Sequence, residues 1–427
     1  MRNTGYFKGK KITVIGLARS GAACANLLRG LGSEVRVTDN QDTPATAKFR
    51  GMLSGGIKVE TGGHSESFLT GRDMLVVSPG VPFNAPPLAR ARAAGIPCVS
   101  EIEIGWMLSS APVIAVTGSN GKTTVTTLIG KVIEASGKKA VTCGNIGNPF
   151  TGEMERIDRA DFVSLEVSSF QLETISDFKP SIAVILNFNR NHLDRHADMD
   201  EYLAAKQRIF MNQGPEDHLV LNGLDPLVKK AGERARSHVV NFTEAAGYNA
   251  NQCAVLAVAS ILGIPETICR GVFDSFKGLE HRMETVAELE GVRYINDSKA
   301  TTVESCQWAL RNLDRPVVLI CGGKDKGVDY SLVAPYCAGK VKEIIVIGQA
   351  AGKIAAALNG AAPLHKADTL EAAVERASRS ASPGDAVVLS PMCASFDMFT
   401  DYEHRGRVFR QAVFDLAKKG TGTGAGR

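Results

Sequence analysis

Seven short runs rich in β-branched residues constrain this chain most: K-I-T-V-I-G, D-M-L-V-V-S, V-I-A-V-T-G, S-I-A-V-I-L-N, P-V-V-L-I-C-G, E-I-I-V-I-G and A-V-V-L-S. Each is followed by a glycine-rich or polar loop and then by a stretch with helical spacing. A continuous apolar strand must be covered on both faces, and strands that alternate with helices are joined by parallel crossovers. The expected fold class is therefore α/β, built on mostly parallel sheets.

At 427 residues the chain exceeds what one hydrophobic core ordinarily serves. Two segments read as joints, L-S-S-A-P at 108–112 and F-K-G-L-E-H-R at 276–282. Cutting there gives three domains, 1–108, 109–279 and 280–427, each of ordinary size. The net charge is only +4 and the basic residues are dispersed, so nucleic acid is not an expected partner. Nine cysteines without a C-x-x-C pair read as buried small apolar residues in a reducing compartment. Neither a signal peptide nor a membrane-spanning run is visible, which points to the cytoplasm. The charged run K-K-A-G-E-R-A-R from Lys229 reads as a solvated helix face.

Chemistry enters with V-I-A-V-T-G-S-N-G-K-T-T, Val113 to Thr124. A strand, a glycine turn and G-K-T-T at a helix start form the context of a phosphate-binding loop. Backbone N–H groups of Gly118, Ser119, Asn120 and Gly121 would face the phosphates beside Lys122, and the hydroxyls of Thr123 and Thr124 lie on the first helical turn. The usual pattern places its first glycine where Val116 stands, so the turn is expected one or two residues later. Further on, S-L-E ends a strand at Glu166 and L-N-F-N-R-N-H-L-D-R-H follows another with His192. In a parallel sheet both ends open on the phosphate-loop edge, where the two side chains can meet a metal. H-L-D-R-H lacks the glutamate of a zinc protease motif. Near the N-terminus, V-I-G-L-A-R-S-G opens a helix and Asp39 ends the next strand, a Rossmann-like start; Ala18 replaces the glycine that would admit a pyrophosphate, which disfavours NAD.

The variant T-G-x-N-G-K-T resembles the ATP-dependent amide ligases that build the peptidoglycan stem peptide, a family shared with folylpolyglutamate synthases. The resemblance covers nearly the whole chain. It implies a Rossmann-like N-terminal domain, a central P-loop-type ATPase domain and a Rossmann-like C-terminal domain. It assigns catalytic roles to Lys122, His192 and Lys206, and Mg²⁺, as one or two ions, to Thr123, Glu166, His192 and a carbamylated Lys206. From the residues alone, Lys206 in E-Y-L-A-A-K-Q-R reads as a solvated helix lysine. The resemblance further implies that Leu17, Asp39, Asn40, Ser78, Pro79 and Gly80 hold a uridine diphosphate, and that Asn145, Ser168 and Gln171 meet the muramoyl group.

On the nucleotide side it implies Asn251, Arg282, Asp297 and Lys299. Thr301, Lys326, Ser395, Phe396 and Tyr402, in N-D-S-K-A-T-T, G-G-K-D-K-G and S-P-M-C-A-S-F-D-M-F-T-D-Y, resemble a pocket for D-glutamate. The implied substrates are UDP-N-acetylmuramoyl-L-alanine and D-glutamate, joined through an acyl phosphate by a monomer that uses ATP. Two departures stand out: Asn191 precedes His192 where relatives usually have Asp, and Tyr248 takes the place of the first of two adenine-side asparagines, with Asn249 beside it. A folylpolyglutamate synthase would lack the uridine-type first domain. A nucleotide-dependent switch would use the same loop without His192 or Lys206.

Overall fold

The computed structural model describes residues 1–188, 198–276 and 278–421. By compactness the chain divides into two units, Met1–Phe276 and Lys277–Arg427. The first unit holds two parallel sheets. One is formed by β1 (Lys11–Ile15), β2 (Glu34–Asp39), β3 (Lys58–Thr61), β4 (Met74–Val77) and β5 (Cys98–Ser100), in the order β3-β2-β1-β4-β5. The other is formed by β6 (Val113–Thr117), β7 (Ala140–Gly144), β8 (Phe162–Glu166), β9 (Ile182–Ile185), β10 (His218–Asn222) and β11 (His238–Phe242), in the order β11-β10-β9-β6-β8-β7. The continuous apolar runs behave as expected: β4, β6 and β9 are buried along their whole length.

Both sheets drain into one core that runs from Phe7 to Ala231. The helix Glu101–Leu108, which leaves β5 and leads into β6, carries two acids that are each 1% exposed, Glu101 and Glu103. The Glu103 carboxylate accepts hydrogen bonds from the N–H groups of Ser176 (2.8 Å), Asp177 (3.0 Å) and Phe178 (3.1 Å). Glu101 Oε1 accepts both the N–H and the hydroxyl of Thr151, each at 2.6 Å. Burial pushes both carboxyl groups up, against these hydrogen bonds. The two acids thus fix the loops that follow β7 and β8, which carry Asn145 and the Ser168–Gln171 turn.

Removing the Glu103 carboxylate takes the acceptor from three N–H groups, of which that of Phe178 is buried and those of Ser176 and Asp177 stand nearer solvent. Glu103→Ala is expected to lower stability by about 3 kcal/mol. The midpoint of urea unfolding, followed by circular dichroism, should fall with little change in slope; an unaltered midpoint would show that these bonds carry no net stability.

The second unit holds β12 (Glu284–Leu289), β13 (Val292–Asn296), β14 (Val317–Gly322), β15 (Val341–Ile347), β16 (Leu364–Lys366) and β17 (Ala386–Leu389), ordered β12-β13-β17-β14-β15-β16. All pairs are parallel except β12 with β13. That exception has a local cause. Glu290 and Gly291 both take positive φ, 51° and 76°, the geometry of a two-residue hairpin turn. Chain connectivity therefore places β12 antiparallel at the edge, where its mixed burial hides it from an apolar-run reading. Among the described residues no helix is long and apolar enough to cross a membrane.

Candidate active site

The phosphate loop joins β6 to the helix Lys122–Ala135. Gly121 is the N-cap with φ 82° and no side-chain cap, so the first N–H groups of the helix are left for an anion. A Cβ at Gly121 would lie 2.4 Å from Asn251 Oδ1, and one at Gly118, whose φ is 152°, 3.0 Å from Leu186 Cβ. Val116, where the usual pattern has glycine, is a fully buried strand residue paired with Glu166 and Val184. The turn begins two residues later, at Gly118. Lys122 Nζ donates to Gly118 O (2.8 Å) and Ser119 O (2.9 Å), folded back over its own loop. Thr123 is buried, and Thr124 is half-buried beside it.

Two residues that sequence reasoning passed over shape this loop. Asn187, just past β9, accepts from Asn120 N–H at 2.9 Å and donates to Asn120 O at 3.2 Å. Tyr202 OH lies 3.0 Å from Ser119 Oγ. The only signal for Asn187 was its place at a strand end, and Tyr202 had none.

Glu166 ends β8 and is 1% exposed. Its Oε1 accepts from Asn145 Nδ2 at 2.7 Å, while Oε2 has no hydrogen-bond partner among the described residues. Lys206, on the helix Met199–Gln207, is also 1% exposed. Its Nζ donates to Gly118 O (3.0 Å) and Thr117 Oγ1 (3.3 Å) and stands 4.7 Å from the Tyr202 ring centre. Burial, reinforced by the Lys122 cation and opposed by Glu166, holds its ammonium well below the usual lysine range. The solvated lysine suggested by the residues alone is thus a buried amine against the phosphate loop. His192 and Asn191 lie outside the described residues. Among the described residues no group of three His, Cys, Asp or Glu could hold a metal. An orphaned buried carboxylate oxygen beside a buried amine does suit a hard cation if the lysine is converted to a carbamate.

Ser168 and Gln171 cap each other: Gln171 Oε1 accepts from Ser168 N–H and Oγ, both at 3.0 Å. Asn145 follows Gly144, where a Cβ would meet Glu166 O at 2.4 Å, so the loop needs glycine to reach Glu166. Arg19 NH1 donates to Gly147 O in that same loop at 2.9 Å.

At the edge of the first sheet, Asp39 Oδ2 accepts from Leu17 N–H at 2.7 Å and Oδ1 from Gln41 N–H at 2.8 Å. The buried Ser78 hydroxyl donates to Gly16 O at 2.8 Å. Leu17, Asp39 and Ser78 thereby build the turn. Asn40 and Gly80, with Gly16, Asp39 and His64, line a cleft of about 150 Å³, and Pro79 is half-buried beside Gly80. A second cleft of about 210 Å³ opens at the ends of β10 and β11, lined by Asn222, Phe242, Thr243, Tyr248 and Asn249. Asn249 is engaged as the cap of the helix Ala250–Ile261. Tyr248 OH donates to Glu266 Oε1 at 2.7 Å and accepts from Arg270 Nε at 3.2 Å, tying down the helix Glu266–Ser275.

In the second unit Asp297, Lys299 and Thr301 follow β13, Lys326 follows β14, Ser395 and Phe396 follow β17, Arg282 precedes β12 and Tyr402 opens the helix Tyr402–Thr421. Lys326 Nζ donates to Thr301 O at 2.8 Å, and Lys324 N–H to Ala394 O at 2.8 Å, one residue from the buried Ser395. Lys299 Nζ lies 3.9 Å from the Tyr402 ring centre, and Phe396 is 66% exposed. Asp297 accepts from Ser390 Oγ at 3.1 Å and from Met283 N–H at 3.3 Å; burial pushes its carboxyl up to about 7, with half-buried Arg282 acting in the opposite sense.

Arg405, which sequence reasoning missed, is 0% exposed and makes no ion pair among the described residues. Its guanidinium donates to Ser298 O (2.8 Å), Ser298 Oγ (3.0 Å) and Cys393 O (3.2 Å). It thereby clamps the segment after β13 to the one after β17, so the candidate residues on each keep a fixed spacing. Only its position in D-Y-E-H-R-G could have flagged it.

Three α/β sheets thus follow one another along the chain, the second with an uncapped phosphate loop and the third with basic and hydroxyl groups at its strand ends. Family models match along the chain: Mur ligase MurD-like N-terminal domain at 10–100, Mur ligase middle domain at 116–260, and Mur ligase glutamate ligase domain at 281–393. The chain belongs to the Mur ligase family, whose members are ATP-dependent. Within it, UDP-N-acetylmuramoylalanine--D-glutamate ligase of Acidobacterium capsulatum is 39% identical, over 97% of both chains. The protein of the same name from Pelotomaculum thermopropionicum is 40% identical, over 96% of this chain and 99% of its own. Among solved structures, MurF ligase from Thermotoga maritima in complex with ADP shares the fold, with a TM-score of 0.58 at 15% identity over 97% of this chain and 98% of its own.

Proposed function

We propose that the chain joins D-glutamate to the alanyl carboxylate of UDP-N-acetylmuramoyl-L-alanine, with ATP as activating co-substrate, in the cytoplasmic synthesis of peptidoglycan precursors. The observation that carries this reading is the likeness, along nearly the whole chain, to relatives of that one name. The Glu166 and Lys206 geometry supports the chemistry.

In this reading Lys122 leaves the carbonyls of Gly118 and Ser119 to take the outer phosphates, while the N–H groups of residues 118–124 cradle them. Asn251 lies on the adenine side. The Lys206 nitrogen, displaced toward its neutral form by burial, attacks carbon dioxide as the free amine and loses a proton, giving an anionic carbamate. Thr123, Glu166, His192 and that carbamate would hold Mg²⁺, which neutralises phosphate charge when bound.

An oxygen of the alanyl carboxylate attacks the γ-phosphorus as the bond to the β–γ bridging oxygen breaks, giving an acyl phosphate and ADP. The D-glutamate amine then attacks the acyl carbon, a proton leaves the nitrogen, and phosphate departs as the amide forms. Asn145, Ser168 and Gln171 orient the muramoyl group. Leu17, Asp39, Asn40, Ser78, Pro79 and Gly80 form the nucleotide end of that substrate's site. Arg282, Asp297 and Lys299 serve ATP. Thr301, Lys326, Ser395, Phe396 and Tyr402 hold D-glutamate, with Lys326 and the hydroxyls on its carboxylates.

Labelling the alanyl carboxylate with ¹⁸O tests the acyl phosphate. One labelled oxygen should appear in the released phosphate, by mass spectrometry. Phosphate without label would overturn this route. A separate expectation concerns the third domain: Lys326→Ala should raise KM for D-glutamate about a hundredfold, with KM for the nucleotide substrate nearly unchanged. Equal effects on both would remove Lys326 from the amino-acid pocket.

A further inference from the structure

The cleft at the edge of the first sheet contains a histidine whose tautomer is fixed by its surroundings. Thr38 Oγ1 has three neighbours: Gly63 O at 2.8 Å, Glu60 Oε2 at 3.2 Å and His64 Nδ1 at 2.9 Å. The two oxygens can only accept, and a hydroxyl has a single proton to give. That proton goes to one of them, so His64 Nδ1 must carry hydrogen and donate it to Thr38. Nε2, across the ring, is then a lone-pair acceptor. No hydrogen bond to it is seen among the described residues, and half-buried His64 is one of the residues that line the cleft with Asp39, Asn40 and Gly80. Glu60 Oε2 is itself anchored by Ser65 N–H at 2.8 Å, so the orienting group cannot swing away freely.

We propose that His64 determines base specificity for the nucleotide-linked substrate, its Nε2 accepting the N3–H of a uracil ring. Uracil offers a donor at N3. Cytosine offers a lone pair there, which would face the lone pair of Nε2. The inference rests on the reading that this edge binds the uridine diphosphate. Burial holds the His64 imidazole below its usual range, with Arg90 acting in the same sense and Asp39 and Glu60 opposing, which favours the neutral ring at pH 7.

The test is calorimetric binding of UDP and CDP to the full chain, without ATP or metal. The wild type should bind UDP about tenfold more tightly than CDP. His64→Leu should lose that preference by weakening UDP, and acidification to pH 5.5 should narrow the ratio in the wild type but leave it unchanged in His64→Leu. A ratio that survives in His64→Leu overturns the proposal. The site reading has its own control. A Cβ at Gly80 meets nothing within 4 Å, so Gly80→Phe can fold and fill the cleft. UDP binding that persists in Gly80→Phe overturns the placement of the nucleotide, and the proposal with it. UDP binding lost in Gly80→Phe, together with a ratio lost in His64→Leu, supports both.

Discussion

Lys122→Ala abolishes ATP turnover, lowering kcat at least about a thousandfold, and leaves the fold intact. The size of the effect follows from charge. The reaction builds negative charge on the γ-phosphoryl group, and Lys122 is the cation of the phosphate loop itself. The loop's shape does not depend on it, because Asn187 holds Asn120 from both sides, and glycines at 118 and 121 set the turn. Phosphate release measured beside a thermal melt separates the two. Normal turnover in the variant would remove the phosphate-loop reading, and a collapsed melt would show that the Lys122 bonds to Gly118 and Ser119 are structural.

Lys206→Ala should cost about as much, for a different reason. The wild-type nitrogen is buried and displaced toward its neutral form, the form able to attack carbon dioxide, whereas a solvated lysine would be protonated at pH 7. Protein equilibrated with ¹³C-bicarbonate should show one carbamate carbon resonance that is missing from Lys206→Ala. Because carbamate forms from the free amine, the resonance should fade as pH is lowered and return as it is raised. An enzyme fully active after exhaustive removal of carbon dioxide, with no such resonance, would contradict the assignment. Glu166→Gln would then be the variant to follow, since its Oε2 is the orphaned oxygen beside the same loop.

The sequence made the interior strands visible because they are buried on both faces and therefore written in uninterrupted β-branched residues. Edge and half-exposed strands such as β3 and β11 lack that signature, having few fully buried positions. The phosphate loop was legible because its chemistry demands residues in one order along the chain. Groups whose role depends on distant partners were not. Glu101 and Glu103 look like ordinary helix acids until loops some fifty and seventy residues away are seen to donate to them. Lys206 reads as solvent-facing until the phosphate loop covers it, and Arg405 gains its role only from three carbonyl and hydroxyl oxygens of other segments that close around it. The family resemblance supplied Lys206 and not Arg405. His64 sits in a G-G-H-S turn that carries no motif, and only the contest for the Thr38 proton reveals its tautomer.

The departures from the family pattern divide. Asn191 lies outside the described residues. Tyr248 has an evident structural use, since its hydroxyl bonds both Glu266 and Arg270 and its ring meets Phe273 edge-on at 5.8 Å. Asn251, which the resemblance implies for the adenine side, has its Oδ1 against Gly121 of the phosphate loop.

The most direct test of the account is phosphate release from ATP in the presence of UDP-N-acetylmuramoyl-L-alanine, with D-glutamate, L-lysine, meso-diaminopimelate or no amino acid. Sustained release with D-glutamate alone is the predicted result. Release that follows another amino acid, or no release under any of the four conditions, would contradict it.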